Sequence, residues 1–367
     1  MYFRHFGIAL LSAAALLPLT GACTKVESVQ AESRIGLAYN VALEQPRTKA
    51  ATAYSESVPF KSYAWYLPAG KSWARDKSDA TAYFADATIS FDSRVWRNTE
   101  QHYYWPKAGS LSFRSYSPAS IPVASATSTD GISVDKDGVT LTNWVLNKTT
   151  NQDTDFMIAD LTSDRTANVT TYGYLGVPTL FRHKLAKLTI QASSGPVPTE
   201  GQEPKIYKIS LKYIFTKGTY TPAAEAAAGG TATPEAWGSK DEMEEIVIFE
   251  DSAGQTVDTK AHNFTGASGL LVIPQVLNAY TAATDSRSTP AAIYVEYAYY
   301  DTATGGYPST PSSAEKSFEG VASNLWAIGH QYTYSLVIGE ENDPIEFDAG
   351  VADWSDGGSY TIKIGGE

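Results

Sequence analysis

The sequence predicts an all-β protein built from two antiparallel β-sandwich domains in tandem. Alternating apolar and polar segments recur at short intervals, with Gly, Pro, Asp and Ser turns between them. No long segment keeps the period of a helix. Hydrophobic residues make up 43% of the chain, which is enough to build a core, and 367 residues suffice for about two domains.

The composition excludes several classes of function. The formal net charge is −12, and a polyanion is repelled by phosphate backbones, so we expect no nucleic-acid partner. Cys23 is the one cysteine, which excludes an intrachain disulfide and any multi-cysteine metal site. Beyond the N-terminal segment, no apolar run is long enough to cross a membrane as a helix.

Residues 1–22 have the pattern of a secretory signal, with a short basic start and an apolar stretch over residues 8–19. Cys23 follows directly and resembles the lipid-attachment cysteine of a bacterial lipoprotein. Thr20 stands where such signals usually carry leucine, and an ordinary signal peptide with a chance cysteine is the alternative. In the lipoprotein interpretation two acyl chains on Cys23 anchor the precursor, and the chain meets the membrane only through them.

Residues 24–34 form a polar tether, and a first strand with one apolar face follows. The apolar residues of that face are Ile35, Leu37, Tyr39 and Val41. Arg47 and Thr48 come next, in an exposed basic stretch between two strand-like segments, where proteases reach a chain most easily. By their residues alone, Arg47 and Thr48 fit a processing site or a plain solvated loop.

The next part of the chain predicts a series of short strands. They are expected at residues 60–67, 87–91, 95–96, 103–106, 111–118 and 155–159. Asp137-Gly138 lies between two apolar runs, which is typical of a tight hairpin turn. A polar loop is expected over residues 162–171.

A second series of strands begins near Leu180. Residues 180–192 and 206–215 are expected to pair and to open a second sheet, and residues 220–241 to form a surface excursion. Further strands are predicted at residues 245–249, 269–273, 293–300, 331–338 and 345–347. The last segment, residues 359–365, alternates through Tyr360, Ile362 and Ile364.

A search for chemistry finds no catalytic, cofactor-binding or metal-binding motif. The five histidines are scattered without ligand spacing. Asn151, Asp153 and Asp155 resemble the start of a calcium loop, but Phe156 occupies the position that needs glycine. The acidic cluster at residues 241–245 is interpreted as a solvated loop edge. The sequence therefore predicts a protein that is not an enzyme and has no cofactor.

Seven short motifs follow one another along most of the chain. They are YYWP (103–106), LSFRSYSP (111–118), FRHKLAKLT (181–189), IPQ (273–275), WAIGHQYTY (326–334), IEF (345–347) and VADW (351–354). In this order they resemble the fimbrillin-like pilins of type V pili and the accessory fimbrial lipoproteins of Bacteroidales. No single motif is specific, and the resemblance rests on the ordered set.

The resemblance implies two transthyretin-like β-sandwich domains and export as an outer-membrane lipoprotein precursor. It also implies that an arginine-specific protease removes the N-terminal segment with its first strand. That cut maps to Arg47-Thr48, whereas a cut at Arg34 would leave the first strand attached. The expected divisions are a signal peptide (1–22), a propeptide (23–47), and two domains (48–178 and 179–367).

In the family a strand from a neighbouring subunit fills the groove that cleavage opens. Tyr360, Ile362 and Ile364 have the same period as the removable strand, so we hypothesise that they form the donor strand. The presence of both strands favours a stalk subunit over a tip subunit. Expected partners are copies of the chain or related fimbrial subunits, the processing protease, and a host or bacterial surface receptor. The mature protein is expected in a cell-surface fimbrium.

The alternative hypothesis is a non-polymerising outer-membrane lipoprotein that binds glycans through exposed aromatic residues. Candidate pairs are Trp65 with Tyr66 and Tyr299 with Tyr300, although burial in the core is the simpler interpretation of both pairs.

Overall fold

The structure is a computed structural model that divides the chain into two units, Met1–Arg34 and Ile35–Glu367. All described residues belong to the second unit. The structure describes residues 37–43, 54–125, 128–146, 154–166, 170–171, 174–195, 200–224, 231–282, 285–319, 324–339, 346–350 and 360–363.

The described residues are mostly β-strand, which confirms the all-β class. The strands are β1 (Tyr39–Leu43), β2 (Phe60–Leu67), β3 (Thr81–Asp92), β4 (Val95–Arg97), β5 (Ser110–Ser117), β6 (Gly131–Val134), β7 (Val139–Val145), β8 (Met157–Ala159), β9 (Thr162–Arg165), β10 (Thr170–Thr171), β11 (Tyr174–Leu175), β12 (Val177–His183) and β13 (Ala186–Ser194). They continue with β14 (Lys205–Thr221), β15 (Ala236–Thr256), β16 (His262–Asn263), β17 (Leu270–Val272), β18 (Gln275–Val276), β19 (Tyr280–Thr281), β20 (Ser286–Arg287), β21 (Ala292–Ala298), β22 (Ser312–Ser317), β23 (Leu325–Trp326), β24 (Gln331–Ile338), β25 (Glu346–Gly350) and β26 (Tyr360–Lys363). The helix α1 (Trp73–Asp76) and a 3-10 turn (Lys77–Asp79) complete the elements.

The sheet of the N-terminal half closes on itself. Its strands follow the order β2-β3-β4-β1-β12-β8-β5, and β5 also pairs with β2, so seven strands form a continuous ring. The strand β9 pairs with β5. We call these seven strands the ring. Because every ring strand has a neighbour on both sides, removal of any one of them would leave two unpaired edges.

Aromatic residues fill the inside of the ring. The buried core comprises Leu37, Tyr39, Tyr54, Phe60, Ala64, Phe84, Ala87, Ile89, Trp96, Leu111, Phe113, Met157, Ala159, Val177 and Phe181. Phe60 is fully buried, and its ring lies 5.6 Å from the Trp96 ring and 5.2 Å from the Phe181 ring. Large rings of this kind bury much apolar area and pack edge to face, so they dominate the stability of a small core.

Two sheets in the C-terminal half enclose a second core. One has the order β16-β13-β24-β25-β26, with β17 also on β13. The other has the order β22-β21-β14-β7-β6, with β15 also on β14. The strand β24 alternates strictly between buried and half-buried residues, as a strand between core and solvent requires. Its buried residues Tyr332, Tyr334, Leu336 and Ile338 face the same core as Ile206, Ile209 and Leu211 of β14.

The two halves share packing. The hairpin β6–β7 lies before residue 178 in the chain, yet β7 pairs with β14 in the second half. Tyr63, Tyr116 and Ile158 belong to ring strands but contribute to the second core. The strand β12 spans the predicted boundary between residues 178 and 179 and lies in the ring.

Several local expectations were wrong. Residues 180–192 and 206–215 were expected to pair, but the first segment is divided between β12 and β13, and neither pairs with β14. β13 pairs with β16, β17 and β24, and β14 pairs with β7, β15 and β21. Both strands are apolar on one face because they face one shared core, Leu188 from one sheet and Ile209 from the other. The expected loop at 162–171 contains β9, and the expected excursion ends early because β15 starts at Ala236.

Two pairings among the described strands are parallel, β1 with β12 and β13 with β24. Alternation along a strand predicts which face is buried, but it does not predict the direction of the neighbouring strand. The expected strand at 103–106 is absent, although the Tyr103 carbonyl accepts a hydrogen bond from the Leu37 backbone at 2.9 Å.

Candidate functional site

The strand β1 is the predicted removable strand, and it is one of the seven strands that form the ring. Five residues of β1 pair with β12 in parallel, from Tyr39 opposite Val177 to Leu43 opposite Phe181. On the other side, Tyr39 lies opposite Trp96 of β4. The Val177 backbone N–H also donates to the Ala38 carbonyl at 2.8 Å. The strand therefore joins β4 to β12 and completes the ring.

The apolar face of β1 points into the ring core. Leu37 is 7% exposed and Tyr39 is 5% exposed, and Val41 is half-buried against the same core. The Tyr39 ring lies 5.5 Å from the Phe60 ring and 6.1 Å from the Phe113 ring, both edge to face. Ile35, the fourth predicted residue of this face, lies outside the described residues.

The phenol of Tyr39 is held by a small hydroxyl cluster. Tyr39 Oη donates to Ser62 Oγ at 3.0 Å, and Ser115 Oγ donates to the same atom at 3.0 Å. Burial raises the pKa of Tyr39 well above its usual value near 10, although the hydrogen bond to Ser62 opposes this shift. Tyr39 therefore contributes both apolar area and a specific polar contact to the fit of β1 in the ring.

Tyr54 fixes the chain that follows β1 in the ring core. The sequence did not predict this residue as part of the site. It is 4% exposed, and its ring lies 4.9 Å from the Phe181 ring and 5.3 Å from the Trp96 ring. Its hydroxyl lies 2.5 Å from Ser117 Oγ. Burial is the largest cause that raises the pKa of Tyr54 to about 12.

The chain is thus held in the ring core on both sides of residues 44–53. The predicted processing residues Arg47 and Thr48 fall in that interval and lie outside the described residues. Cys23, the predicted lipid attachment site, also lies outside them.

The predicted donor segment forms the last of the described strands. Tyr360 and Ile362 lie in β26, which pairs antiparallel with β25 from Tyr360 opposite Ala349 to Lys363 opposite Glu346. Ile364 lies outside the described residues. In the order β16-β13-β24-β25-β26, the strand β26 is terminal and has β25 as its described neighbour. It is therefore held on one side, whereas β1 is held on two.

The other candidate groups have local partners. His183 Nδ1 lies 2.6 Å from Asp155 Oδ2, and His262 Nε2 lies 3.0 Å from Asp258 Oδ1. Within the described part of the chain, no cluster of three His, Cys, Asp or Glu residues could hold a metal ion.

The acidic cluster lies on the strand β15 rather than on a loop edge. Glu242 pairs with Lys217 at 3.1 Å, and Glu245 pairs with Lys208 at 3.0 Å. These carboxylates therefore form cross-strand ion pairs with β14.

The predicted aromatic pairs are half-buried. Trp65 packs on the Trp73 ring at 6.1 Å, and Tyr66 packs against the ring core. Tyr299 packs on the Tyr297 ring at 5.6 Å beside the second core, and Tyr300 contacts the Tyr307 ring at 5.4 Å. Among the described helices, none has the length and apolar character that a membrane crossing requires.

Comparisons with known proteins identify relatives of the chain. A family model described as fimbrillin-like matches residues 71–354. A fimbrial protein from Bacteroides vulgatus matches with a TM-score of 0.53 and 16% identity, over 87% of this chain and 99% of that one. A protein from Bacteroides uniformis that is described by a role in cell adhesion matches with a TM-score of 0.49 and 18% identity, over 88% and 100% of the two chains. No curated protein sequence matches the chain.

Proposed function

The chain belongs to the fimbrillin-like family, and from this membership we propose that it is a structural subunit of a cell-surface fimbrium with a role in adhesion. The family and the fold shared with the Bacteroides vulgatus fimbrial protein support association with copies of the chain or with other fimbrial subunits. In this role the chain builds a fibre and catalyses no reaction. The single observation that carries the mechanism is the position of β1 between β4 and β12.

Polymerisation by strand exchange begins when β1 leaves the ring. Its departure would expose unpaired backbone groups on β12 and β4, and a groove lined by residues such as Phe60 and Phe113. Unpaired backbone groups and open apolar surface both cost free energy in water. The open ring is therefore a strong acceptor for an incoming strand that restores the pairing and fills the groove.

Cleavage makes this departure possible. While the chain is intact, β1 is tethered to Tyr54, whose ring is fixed in the same core. A cut between Arg47 and Thr48 would separate β1 from Tyr54 and convert an intramolecular strand into a separate short peptide. Loss of that tether removes the high effective concentration that favours β1 over a competing strand.

The donor is the terminal strand β26 with the residues that follow it. It has one described neighbour, so its release breaks one set of strand contacts rather than two. Tyr360, Ile362 and Ile364 alternate as Leu37, Tyr39 and Val41 do, so a donor in register would present apolar residues to the groove.

Lipidation at Cys23 completes the proposal. Acyl chains on this residue would hold the precursor at the outer membrane, and the cut at Arg47 would release the subunit from them. The lipid is then temporary, and the arginine-specific protease controls the start of assembly. A receptor on a host or bacterial surface is the expected target of the finished fimbrium.

Incubation of the purified chain with an arginine-specific protease tests the proposal. We expect the cut protein to form a ladder of oligomers that is visible in an unheated gel and collapses on boiling. Arg47→Ala should remain monomeric under the same conditions, and Arg34→Ala is the matched control that should still form the ladder. A stable monomer from the cut wild-type chain would contradict the proposal.

A further inference from the structure

Three tyrosines meet at one end of the sheet that contains β14 and β21, and we call Tyr207, Tyr300 and Tyr307 the tyrosine patch. The Tyr300 and Tyr307 rings lie 5.4 Å apart and perpendicular to each other. All three residues are half-buried, so each keeps part of its surface in contact with solvent. The patch contributes to neither buried core.

A bulge in β14 places Tyr207 in the patch. Ile206 and Lys208 lie opposite Tyr297 and Glu296 of β21, which leaves Tyr207 as an extra residue. The register with β15 also shifts at this point. A bulge redirects a side chain out of the regular alternation. Gly254 leaves room for the Tyr207 ring, because a Cβ at position 254 would lie 3.0 Å from that ring.

Polar groups surround the three rings. Lys205 Nζ lies 4.7 Å from the centre of the Tyr307 ring and donates to the Ala253 carbonyl at 3.1 Å. Tyr307 Oη donates to the Glu203 carbonyl at 2.7 Å. Burial raises the pKa of Tyr307, with smaller contributions from Glu203, Tyr207 and Tyr300. Gly254 borders both Tyr207 and Lys205, since a Cβ at this position would lie 3.0 Å from the Tyr207 ring and 3.2 Å from the Lys205 Cβ.

We propose that the tyrosine patch binds a glycan. Partly exposed aromatic rings offer flat apolar faces to the C–H face of a pyranose, and their phenols hydrogen-bond to its hydroxyls. Lys205 adds a donor beside the Tyr307 ring, and the Glu203 carboxylate, which accepts from the Gly201 backbone N–H at 3.2 Å, adds an acceptor. Both residues are half-buried. One positive and one negative group together do not select a charged ligand, so the patch fits a neutral sugar better than an acidic one.

The site goes beyond the proposed assembly function and is independent of it. Every residue of the patch lies in the second half of the chain, and the patch is complete with β1 in place. The uncut monomer should therefore bind glycan as well as the fibre does. Failure of strand exchange would leave this inference standing, and the reverse also holds.

Binding of the uncut Arg47→Ala chain to an array of defined neutral and acidic oligosaccharides tests the inference. We expect binding to at least one neutral glycan, with affinity reduced at least tenfold by Tyr300→Ala and by Tyr307→Ala. Tyr294→Ala is the matched control, since Tyr294 is a half-buried tyrosine on β21 whose ring lies under Lys212 at 3.7 Å, outside the patch. Its affinity should equal that of the parent chain.

Circular dichroism and the melting temperature show whether each variant is folded. Should an alanine variant unfold, Tyr300→Leu keeps apolar bulk without the aromatic face, and it should still lose the affinity. Three results would overturn the inference: no glycan bound by the folded parent, equal affinity in the patch variants and the parent, or binding to a protein partner through the patch with no glycan bound.

Discussion

β1 and β26 carry the same alternation of apolar and polar residues, yet they are held in different ways. The strand β1 lies between two neighbours and faces an aromatic core, whereas β26 pairs with one strand at the end of its sheet. In the proposed function the same sequence pattern has two roles: β1 is the plug, the strand that fills the groove of the ring before cleavage, and β26 is the donor. With one described neighbour against two, β26 should need less free energy to leave its sheet than β1 needs to leave the ring.

Removal of the proposed donor strand has the largest expected effect on this comparison. Deletion of residues 355–367 should abolish the oligomer ladder, because the cut subunits can then accept a strand but cannot offer one. The deleted chain should still be cut after Arg47, which controls for protease access. Full-length fibres from the deleted chain, followed in an unheated gel, would assign the donor strand elsewhere.

Tyr39→Ala tests how strongly the strand β1 is held in the ring before cleavage. Truncation of a buried aromatic ring usually costs about 3–5 kcal/mol, so the uncut chain should lose that much free energy of unfolding in urea. The stability of the assembled fibre should not change, because in the proposed mechanism β1 leaves the subunit before assembly. Tyr83→Ala is the control, since Tyr83 is 37% exposed and its loss should cost about 1 kcal/mol or less. Equal losses in both variants would contradict the buried position of β1.

The loss of stability at alkaline pH tests whether Tyr54, which follows the predicted cut, stays buried in the ring. Burial raises the pKa of Tyr54 from 10.0 to about 12, so the folded state keeps the proton that the unfolded state releases. The resulting stability is complete below pH 10 and is lost as the pH rises towards 12, about 1.4 kcal/mol by pH 11. Tyr54→Phe should remove that share of the alkaline loss.

Urea unfolding between pH 9 and 11 measures the effect. Because Tyr54 follows the cut in the chain, its contribution to the alkaline loss of unfolding free energy should be the same before and after cleavage. A Tyr54→Phe chain with the full alkaline loss would show that this phenol is not buried in the ring.

Tyr39→Phe gives the smallest expected effect. It removes the hydrogen bond to Ser62 and should lower the free energy of unfolding of the uncut chain by about 1 kcal/mol. Tyr334→Phe is the matched control, because the Tyr334 hydroxyl accepts from Trp326 Nε1 at 2.8 Å in the second core. In urea unfolding, Tyr334→Phe should lower the free energy of unfolding both before and after assembly. Tyr39→Phe should lower it only before assembly. Persistence of both penalties in the fibre would mean that β1 remains in place.

The sequence predicted which face of a strand is buried better than it predicted which strands pair with one another. The alternation over residues 331–338 matched β24 at both ends, and Asp137-Gly138 marked the turn of the β6–β7 hairpin. The same reasoning paired β13 with β14, because two strands that share a core carry the same pattern as two strands that share a sheet. Closure of the ring depends on pairing between β2 and β5 and on β1, which local patterns do not specify.

The candidate site was predicted in part. The apolar face of β1 was readable because Leu37, Tyr39 and Val41 alternate. Tyr54 was missed because it stands alone in a polar stretch, and only the folded ring brings it against Phe181. Tyr207 was missed as a patch residue because a bulge breaks the alternation that a sequence pattern relies on.

Binding of a fluorescent peptide with the sequence of residues 355–367 tests the central claim most directly. After cleavage and removal of the released N-terminal segment, the chain that lacks residues 355–367 has an open groove and no donor of its own. We expect the peptide to bind this chain tightly, as measured by fluorescence anisotropy, and not to bind the same chain uncut, in which β1 occupies the groove. A peptide with Ile362 and Ile364 changed to Asp should bind neither. Equal binding to the cut and uncut chains, or no binding to the cut chain, would contradict the account of β1 as the plug of the ring.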